Sequence, residues 1–424
     1  MRRWRTDGLA LRLIAALLFG TIAAVSLTVR ADLQPAIPTG FSADGLRRVG
    51  DYFKNEVATG RIPGAVVLIL RHGRAVYSEA FGLRDVANQA PMTLDTIFRL
   101  YSMSKPITSV AVMMLVNDGK IALSDPLSKY IPAFAEVKVG VVAEPWLGEP
   151  TLKLEALQRP VTIEDLLRHT SGITYGFYGE SPVRKLYASS NLFEGDFDNA
   201  QFVERLARLP LAEQPETLWD YGHSTDVLGR LVEVVSGKSL YQFEKERILD
   251  PLSMADTGFS VPDAQRSRVA EFLPNDRFKG RVAGLGDPVL PRRWESGGAG
   301  MVGTAADYAR FAQMLLEGGT LDGKHYLKPD TVRLMISDHI GKEIGRDAYY
   351  FPGSDSGFGL GVAVRTAATD HLPAGEYRWD GVGGTIFFVD PRDDMLAIVM
   401  MQSPSQRARI DKEAKQLIYQ AMER

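Results

Sequence analysis

Hydrophobic and polar positions along the chain follow two different periods. Residues 64–70, Gly-Ala-Val-Val-Leu-Ile-Leu, form an apolar run with the length of a buried strand, and residues 75–81 continue as its hairpin partner. Two further strand patterns, residues 385–390 and 395–401, lie near the other end of the chain and share an aspartate-rich turn. The pattern therefore predicts antiparallel hairpins near both ends of the chain.

Elsewhere the apolar residues recur at the spacing of an α-helix. The predicted helices are residues 41–59, 103–117, 162–169, 200–209, 225–236, 240–249, 305–317, 329–336 and 409–422. Segments rich in Gly and Pro but without periodicity are predicted to be long loops that shape a site. These loops are residues 136–160, 175–199 and 275–291.

The order of these elements predicts an α+β fold. Strands at both ends with helices between them indicate one antiparallel sheet flanked by helices, into which an all-helical lobe is inserted. We expect residues 36–100 and 290–424 to form the sheet lobe and residues 101–289 to form the mainly helical lobe, with the active site between them.

The N-terminal segment has the pattern of a secretory signal. Arg2, Arg3 and Arg5 supply a positive charge, residues 13–27 are mostly apolar, and Val29-Arg30-Ala31 places small residues at a cleavage site. We expect residues 1–31 to be a signal peptide and the protein to be exported, either periplasmic or secreted. The alternative is an uncleaved membrane anchor, although the apolar run is short for a span of about 20 residues.

Composition narrows the range of functions. The 424-residue chain carries 49 Lys and Arg against 52 Asp and Glu, so its formal net charge is −3 and it offers no basic stripe for nucleic acid. Cysteine is absent, which excludes disulfides, thiolate metal sites and a cysteine nucleophile. The six histidines show no metal-binding spacing, so we predict neither a metal nor a cofactor.

The segment Ser102-Met103-Ser104-Lys105 is the S-x-x-K sequence of this chain. A spacing of three places Ser102 and Lys105 on one face of a helix, whose following residues have the apolar pattern of a core helix. Burial and the positive end of the helix dipole should lower the pKa of Lys105, which a general base requires. The alternative is an ordinary solvent-facing Ser and Lys, since such a motif also occurs by chance.

Two later segments add candidates for the same site. Tyr221 lies in Trp219-Asp220-Tyr221-Gly222-His223-Ser224, which precedes a predicted helix. Trp379-Asp380-Gly381 precedes the strand of residues 385–390, with glycines that allow a backbone to approach a ligand. Tyr221 as a half-buried tyrosine and Trp379 as a packing residue remain the alternatives.

The order S-x-x-K, then Y-x-x, then W-x-G before an edge strand resembles the serine β-lactamase and penicillin-recognising superfamily. More narrowly, the chain resembles the family VIII carboxylesterases, which share the class C β-lactamase fold. Segments that support the resemblance are Arg61-Ile-Pro-Gly-Ala65, Leu167-Arg-His-Thr-Ser-Gly172, Asp226-Val-Leu-Gly-Arg230, Ser296-Gly-Gly-Ala-Gly300 and Phe388-Val-Asp-Pro391. The resemblance extends from about residue 41 to the C-terminus.

The resemblance implies a role for each matched position. Ser102 would be the nucleophile, and Lys105 and Tyr221 would share proton transfer, with the identity of the base left open. The backbone N–H groups of Ser102 and Val382 would form the oxyanion hole.

Departures from the family pattern bear on the substrate. His223 stands where class C β-lactamases carry Asn, and Trp379-Asp380-Gly381 replaces K-T-G. A tryptophan cannot bind the β-lactam carboxylate by charge, and Asp380 should oppose an anionic substrate. His223, Trp379, Asp380 and Gly381 are therefore predicted to contact an uncharged ester.

His169 and Ser171 could suggest Ser–His chemistry, but their place at the end of a short helix beside a glycine favours a structural role. No G-x-S-x-G occurs in the sequence, so the nucleophile elbow of an α/β-hydrolase is absent. The expected function is a serine carboxylesterase for small-molecule esters with short acyl chains. The alternatives are a β-lactamase or D-Ala-D-Ala peptidase and, from another class, a non-hydrolysing penicillin-binding module that traps an acyl group.

Overall fold

The computed structural model describes residues 40–143, 151–279, 288–290, 292–369 and 372–423. The predicted signal peptide lies outside these residues, as do residues 280–287 and 291 of the predicted loop 275–291. None of the helices in the described ranges combines the length and the hydropathy needed to cross a bilayer.

Helices and strands alternate in the order expected of an α+β protein. The helices are α1 (Ala43–Ala58), α2 (Ser104–Asn117), α3 (Ile163–Leu167), α4 (Pro182–Ser189), α5 (Asn199–Leu206), α6 (Ser224–Ser236), α7 (Leu240–Glu244), α8 (Ala305–Leu316), α9 (Pro329–Met335) and α10 (Arg407–Ala421). The strands are β1 (Gly64–Arg71), β2 (Arg74–Asp85), β3 (Ala90–Pro91), β4 (Phe98–Arg99), β5 (Val139–Ala143), β6 (Thr151–Glu155), β7 (Val302–Gly303), β8 (Thr320–Leu321), β9 (Lys324–His325), β10 (Ser356–Phe358), β11 (Ala363–Arg365), β12 (Tyr377–Gly381), β13 (Thr385–Asp390) and β14 (Met395–Met400).

One eight-stranded antiparallel sheet organises the chain, in the order β10-β11-β12-β13-β14-β1-β2-β3. The two predicted hairpins meet at its centre, where Val66 of β1 faces Met400 of β14. The predicted fold class, an antiparallel sheet flanked by helices, is therefore confirmed. The residue boundaries given above for the two lobes stay a prediction.

The central strands are apolar on both sides because helices cover both faces of the sheet. Along β1, Val67 and Ile69 belong to a core that also holds residues of α1 and α10, while Val66 and Leu68 belong to the larger core that contains α2. Side chains of alternating positions thus enter different cores, which explains the continuous apolar run in the sequence.

The two ends of the described chain are joined directly. The Ser42 N–H donates to the carbonyl of Ala421 at 2.8 Å, and the Glu423 N–H donates to the carbonyl of Gly40 at 2.9 Å. Phe41 and Met422 form an isolated antiparallel bridge between these bonds. Helices α1 and α10 therefore pack side by side on one face of the sheet.

Helix α2 lies in the larger core and is buried from Ser104 to Leu115. A helix that is buried on all sides belongs to the interior of a protein rather than to its surface. Its N-terminal end is fixed by the hydroxyl of Tyr308, which donates to the carbonyl of Met103 at 2.9 Å. The residues that open this helix are therefore held in place from α8.

Several predicted elements differ from the structure. The loop predicted at 136–160 contains the hairpin of β5 and β6, whose side chains are mostly exposed and so lack an alternating apolar pattern. The loop predicted at 175–199 contains α4, which begins with a Ser181 N-cap and a proline. The predicted helix 240–249 is α7 followed by a π-helical turn, Lys245–Leu249.

The prediction of an edge strand at 385–390 is wrong, because β13 pairs on both sides, with β12 and β14. Trp379, Asp380 and Gly381 precede β13, as predicted, and they are themselves the end of another strand, β12. Only Tyr377 and Arg378 of β12 pair with β11, so these three residues extend beyond their neighbour on that side.

Candidate active site

Ser102 lies in a tight turn at the entrance to the buried helix α2. The 3₁₀ turn Tyr101–Met103 runs directly into α2, and Tyr101 has a φ of 48°, in the left-handed region that non-glycine residues rarely adopt. Such strain concentrates at functional sites. Lys105, one turn further on, is 1% exposed, so the predicted pair opens a core helix.

Lys105 contacts Ser102 and two fixed acceptors. Its Nζ lies 3.2 Å from Ser102 Oγ. The same nitrogen donates to the carbonyl of Gly298 at 2.7 Å and to the hydroxyl of Tyr175 at 3.2 Å. A neutral amine has two hydrogens and one lone pair, so these two acceptors occupy both hydrogens and leave the lone pair facing Ser102.

The protonation of Lys105 is set by its surroundings. Burial lowers the pKa of Lys105 to about 7, although the carboxylates of Asp226 and Asp380 act in the opposite direction. A lysine with this pKa is partly neutral at physiological pH and can accept the proton of a hydroxyl.

Tyr221 lies in the loop that enters α6, as the sequence predicts. Its ring centroid is 4.6 Å from Lys105 Nζ, and the indole N–H of Trp379 donates to its hydroxyl at 3.3 Å. Burial raises the pKa of Tyr221, while hydrogen bonds with Ser102 and Trp379 act against that rise. Tyr221 therefore keeps its proton at neutral pH and is a proton donor in the resting site.

Gly222 explains how Tyr221 comes so close to the segment that carries Tyr175. A Cβ atom at Gly222 would lie 2.2 Å from the carbonyl oxygen of Ile173, so only glycine fits between the two backbones.

Tyr175 is a site residue that the sequence does not indicate. The sequence predicts it only as the first residue of a long loop. Its hydroxyl nevertheless accepts a hydrogen bond from Lys105, which lies 70 positions earlier in the sequence. Its ring meets those of Tyr221 and His223 edge-to-face, at centroid distances of 5.5 Å and 4.4 Å. Burial raises the pKa of Tyr175 well above its ordinary value, so this hydroxyl is also protonated.

His223 is buried behind Tyr175 and bonds to Asp226 through Nδ1 at 3.0 Å. The carboxylate of Asp226 also accepts the hydroxyl of Ser296 at 2.5 Å and the N–H of Gly298 at 3.1 Å. Burial alone would raise the pKa of Asp226, but hydrogen bonds from His223 and Ser296 lower it. His223 thus supports Tyr175, and its contact with substrate stays a prediction.

The end of β12 packs against the residues that precede Ser102. A Cβ atom at Gly381 would lie 2.1 Å from the carbonyl oxygen of Leu100, and one at Gly383 would lie 2.7 Å from the ring of Tyr101. Val382, between them, packs against the cluster of Tyr101 and Phe272. The backbone of Val382 is thereby close to the turn of Ser102. The oxyanion hole formed by Ser102 and Val382 stays a prediction.

The whole fold can be compared with known protein families. A family model described as Beta-lactamase matches residues 49–420. The chain belongs to the beta-lactamase family. The predicted resemblance is confirmed by this match.

Members of the beta-lactamase family similar to this chain include ester hydrolases. The chain is 36% identical to Protein Rv1367c of Mycobacterium tuberculosis over 355 residues, which cover 81% of this chain and 86% of that protein. It is 31% identical to Esterase EstB of Burkholderia gladioli, over 83% of this chain and 90% of that one. The structure of EstCE1, described as a hydrolase with promiscuous acyltransferase activity, superposes with a TM-score of 0.72 at 26% identity, over 89% and 99% of the two chains.

Asp380 has an ion-pair partner, Arg407, that the sequence does not indicate. Its carboxylate accepts a hydrogen bond from the guanidinium of Arg407 at 2.5 Å, and both side chains are about one-third exposed. The Arg407 cation therefore offsets the charge of Asp380, and the expectation that Asp380 opposes an anionic substrate stays a prediction.

His169 and Ser171 have structural positions. The buried ring of His169 packs on Tyr221 at 4.9 Å between centroids, and burial lowers its pKa well below the ordinary value. The hydroxyls of Ser171 and Ser224 are 2.8 Å apart, which ties α3 to the start of α6. Helix α3 ends at Leu167, two residues before the predicted end.

No group of three or more His, Asp or Glu side chains in the described ranges is arranged to hold a metal ion.

Proposed function

We propose that this protein is a serine carboxylesterase that cleaves esters with short acyl chains through an acyl-Ser102 intermediate. The observation that carries the proposal is the placement of Lys105, whose two hydrogen-bond acceptors aim its lone pair at the Ser102 hydroxyl. A serine is a weak nucleophile and needs a base within hydrogen-bond reach.

Acylation follows from the protonation states of the site. Lys105 accepts the proton of Ser102 while Oγ attacks the ester carbonyl carbon. The oxyanion that forms accepts hydrogen bonds from the backbone N–H groups of Ser102 and Val382. When the tetrahedral intermediate collapses, the bond to the alcohol oxygen breaks and that oxygen takes the phenolic proton of Tyr221. The proton on Lys105 then restores Tyr221.

Deacylation repeats the sequence with water. Water attacks the acyl carbon and gives a proton to the same pair of side chains. As the bond from the acyl carbon to Ser102 Oγ breaks, the pair returns that proton to Oγ and the carboxylic acid leaves. An alcohol that enters in place of water would be acylated instead, and the description of EstCE1 as a hydrolase with acyltransferase activity supports that variation.

The lining of the site supports an ester rather than a β-lactam as the substrate. Trp379 donates its indole N–H to Tyr221 and carries no charge that could bind a substrate carboxylate, and the nearby Arg407 guanidinium is already paired with Asp380. The similarity to Esterase EstB over most of both chains supports the same choice.

The test compares Ser102→Ala with a matched serine variant in helix α2, which follows the turn of Ser102. Ser109 is the control, because its buried hydroxyl has no hydrogen-bond partner among the described residues. Ser102→Ala should abolish hydrolysis of p-nitrophenyl butyrate and covalent labelling by a fluorophosphonate, while Ser109→Ala keeps both. Wild-type turnover in Ser102→Ala would overturn the mechanism, and nitrocefin cleaved as efficiently as the ester would overturn the substrate class.

A further inference from the structure

Two phenylalanines stand exposed beside the candidate active site. Phe177 is 60% exposed and Phe351 is 45% exposed, and they are the two aromatic residues among the exposed large hydrophobic side chains of the described residues. Scattered exposed leucines and valines are common, whereas exposed aromatic rings grouped at a site mark a surface that binds something.

The two rings continue inward to the catalytic tyrosine. Phe351 meets Tyr221 edge-to-face at 5.8 Å between centroids and lies 5.0 Å from Tyr178. The ring centroid of Phe177 lies 4.6 Å from that of Tyr178. Tyr221, Phe351, Tyr178 and Phe177 thus form one surface, the aromatic wall, which runs from the proton donor to solvent.

The backbone on both sides of the aromatic wall is anchored. A Cβ atom at Gly176 would lie 2.3 Å from the backbone nitrogen of Ala188, so the chain before Phe177 rests directly on α4. The chain before Phe351 is tied down by the hydroxyl of Tyr350, which donates to the carbonyl of Ser356 at 2.9 Å. The exposure of the two rings is therefore held by the fold rather than left by a loose loop.

The position of the aromatic wall selects one part of an ester. In the proposed function, on which this step rests, Tyr221 gives its proton to the leaving oxygen, so that oxygen lies at the Tyr221 hydroxyl. The group attached to that oxygen then extends along Phe351 and Tyr178, whereas the acyl group lies on the other side of the carbonyl.

We infer that the aromatic wall binds the alcohol part of the substrate, and that the preferred substrates are short-chain esters of bulky, planar, apolar alcohols. Flat aromatic or polycyclic groups match this surface because aromatic rings attract one another in offset and edge-to-face arrangements. Removing one apolar contact of this size from a binding surface costs about tenfold in kcat/KM.

The experiment uses two isomeric esters that differ only in the side that carries the ring. In 2-naphthylmethyl acetate the ring is on the alcohol, in methyl 2-naphthylacetate it is on the acyl group, and ethyl acetate is the small reference. Wild type should have the higher kcat/KM for 2-naphthylmethyl acetate. Phe177→Ala and Phe351→Ala should each lose about tenfold more kcat/KM on that ester than on ethyl acetate.

Leu154→Ala is the matched control, because Leu154 is 59% exposed and lies on β6, outside the aromatic wall. It should behave as wild type on all three esters. A preference of wild type for methyl 2-naphthylacetate, or equal losses on ethyl acetate in the phenylalanine variants, would overturn the assignment of the alcohol site. Absence of Ser102-dependent hydrolysis of all three esters would instead overturn the proposed function, and this inference with it.

Discussion

Two tyrosines lie beside Lys105, and the proposed mechanism gives them different tasks that a pair of conservative substitutions can separate. The Tyr175 hydroxyl accepts a hydrogen bond from Lys105 Nζ. Tyr221 contacts the amine through its ring, and its hydroxyl forms hydrogen bonds with Ser102 and Trp379. Tyr175→Phe removes one of the two acceptors that orient the lone pair. Tyr221→Phe removes the proton that the leaving oxygen requires.

The expected losses differ by orders of magnitude. A hydrogen bond of the kind lost in Tyr175→Phe is worth about 0.5–1.5 kcal/mol, so kcat/KM should fall by about twofold to tenfold. General acid catalysis contributes about 10²–10⁴-fold, so Tyr221→Phe should cost that much on an unactivated ester. The Gly298 carbonyl at 2.7 Å still holds Lys105 in both variants, so neither change should release the amine from the site.

The leaving group distinguishes proton donation from positioning. Ethoxide must be protonated as it leaves, whereas p-nitrophenolate departs without a proton, because it is a far weaker base. The assay is kcat/KM for ethyl butyrate and for p-nitrophenyl butyrate, which reports acylation. Tyr221→Phe should lose much more on ethyl butyrate than on the activated ester, and Tyr175→Phe should lose the same small factor on both.

Two results would refute this reasoning. A loss in Tyr175→Phe that equals that of Tyr221→Phe and grows with the basicity of the leaving group would exchange the two roles. A loss in Tyr221→Phe that is the same on both esters would show that this hydroxyl does not protonate the leaving oxygen.

Other consequences of the buried charges can be measured in the same protein. The kcat/KM of p-nitrophenyl butyrate should fall as the pH drops through about 7, because protonated Lys105 cannot accept a proton, and a profile that stays flat to about pH 5 would contradict this. Arg407→Gln leaves the Asp380 carboxylate unpaired near Lys105, so the midpoint of that pH profile should move to higher pH. An unchanged midpoint would show that the Asp380–Arg407 pair does not affect the pKa of Lys105. Burial raises the pKa of Glu244 well above its usual 4.5, so the folded state holds a proton that the unfolded state releases, and stability is lost as the pH rises above the unfolded value. Glu244→Gln removes this dependence. The free energy of unfolding of the variant in urea, minus that of wild type, should therefore increase between about pH 5 and about pH 8, by up to about 1.4 kcal/mol per pH unit. A difference that stays constant with pH would contradict a buried neutral Glu244.

The residues that could be predicted from the sequence are those fixed by local geometry. Ser102 and Lys105 meet because they are three positions apart at the start of one helix, and a short spacing survives almost any packing of that helix. Tyr221 was found through its motif, and its loop position follows from the helix that begins at Ser224. The sheet hairpins were predictable for the same reason, since each is bounded by a local turn.

The residues that could not be predicted are those brought together by tertiary packing. Tyr175 carries no motif, and its bond to Lys105 exists only because the backbones at Gly222 and Ile173 touch. Arg407, at the start of α10 and 27 positions after Asp380, neutralises its charge. The sequence around Asp380 does not indicate this partner. The pairing of β1 with β14 likewise depends on which apolar strands find each other, and hydrophobicity alone does not choose among them.

The direct joining of the chain ends affects how this protein is made. Among the described elements, helix α1 and strand β1 leave the ribosome before the others, and their partners β14 and α10 follow the others. The centre of the sheet therefore cannot close until β14 and α10 have been synthesised. Until then the hairpin of β1 and β2 presents an unpaired apolar edge that can bind another chain. Because Gly40 and Glu423 already share a hydrogen bond, a short linker between them, with new ends opened in an exposed turn such as that of the β8–β9 hairpin, would place β14 and α10 ahead of β1 in the order of synthesis.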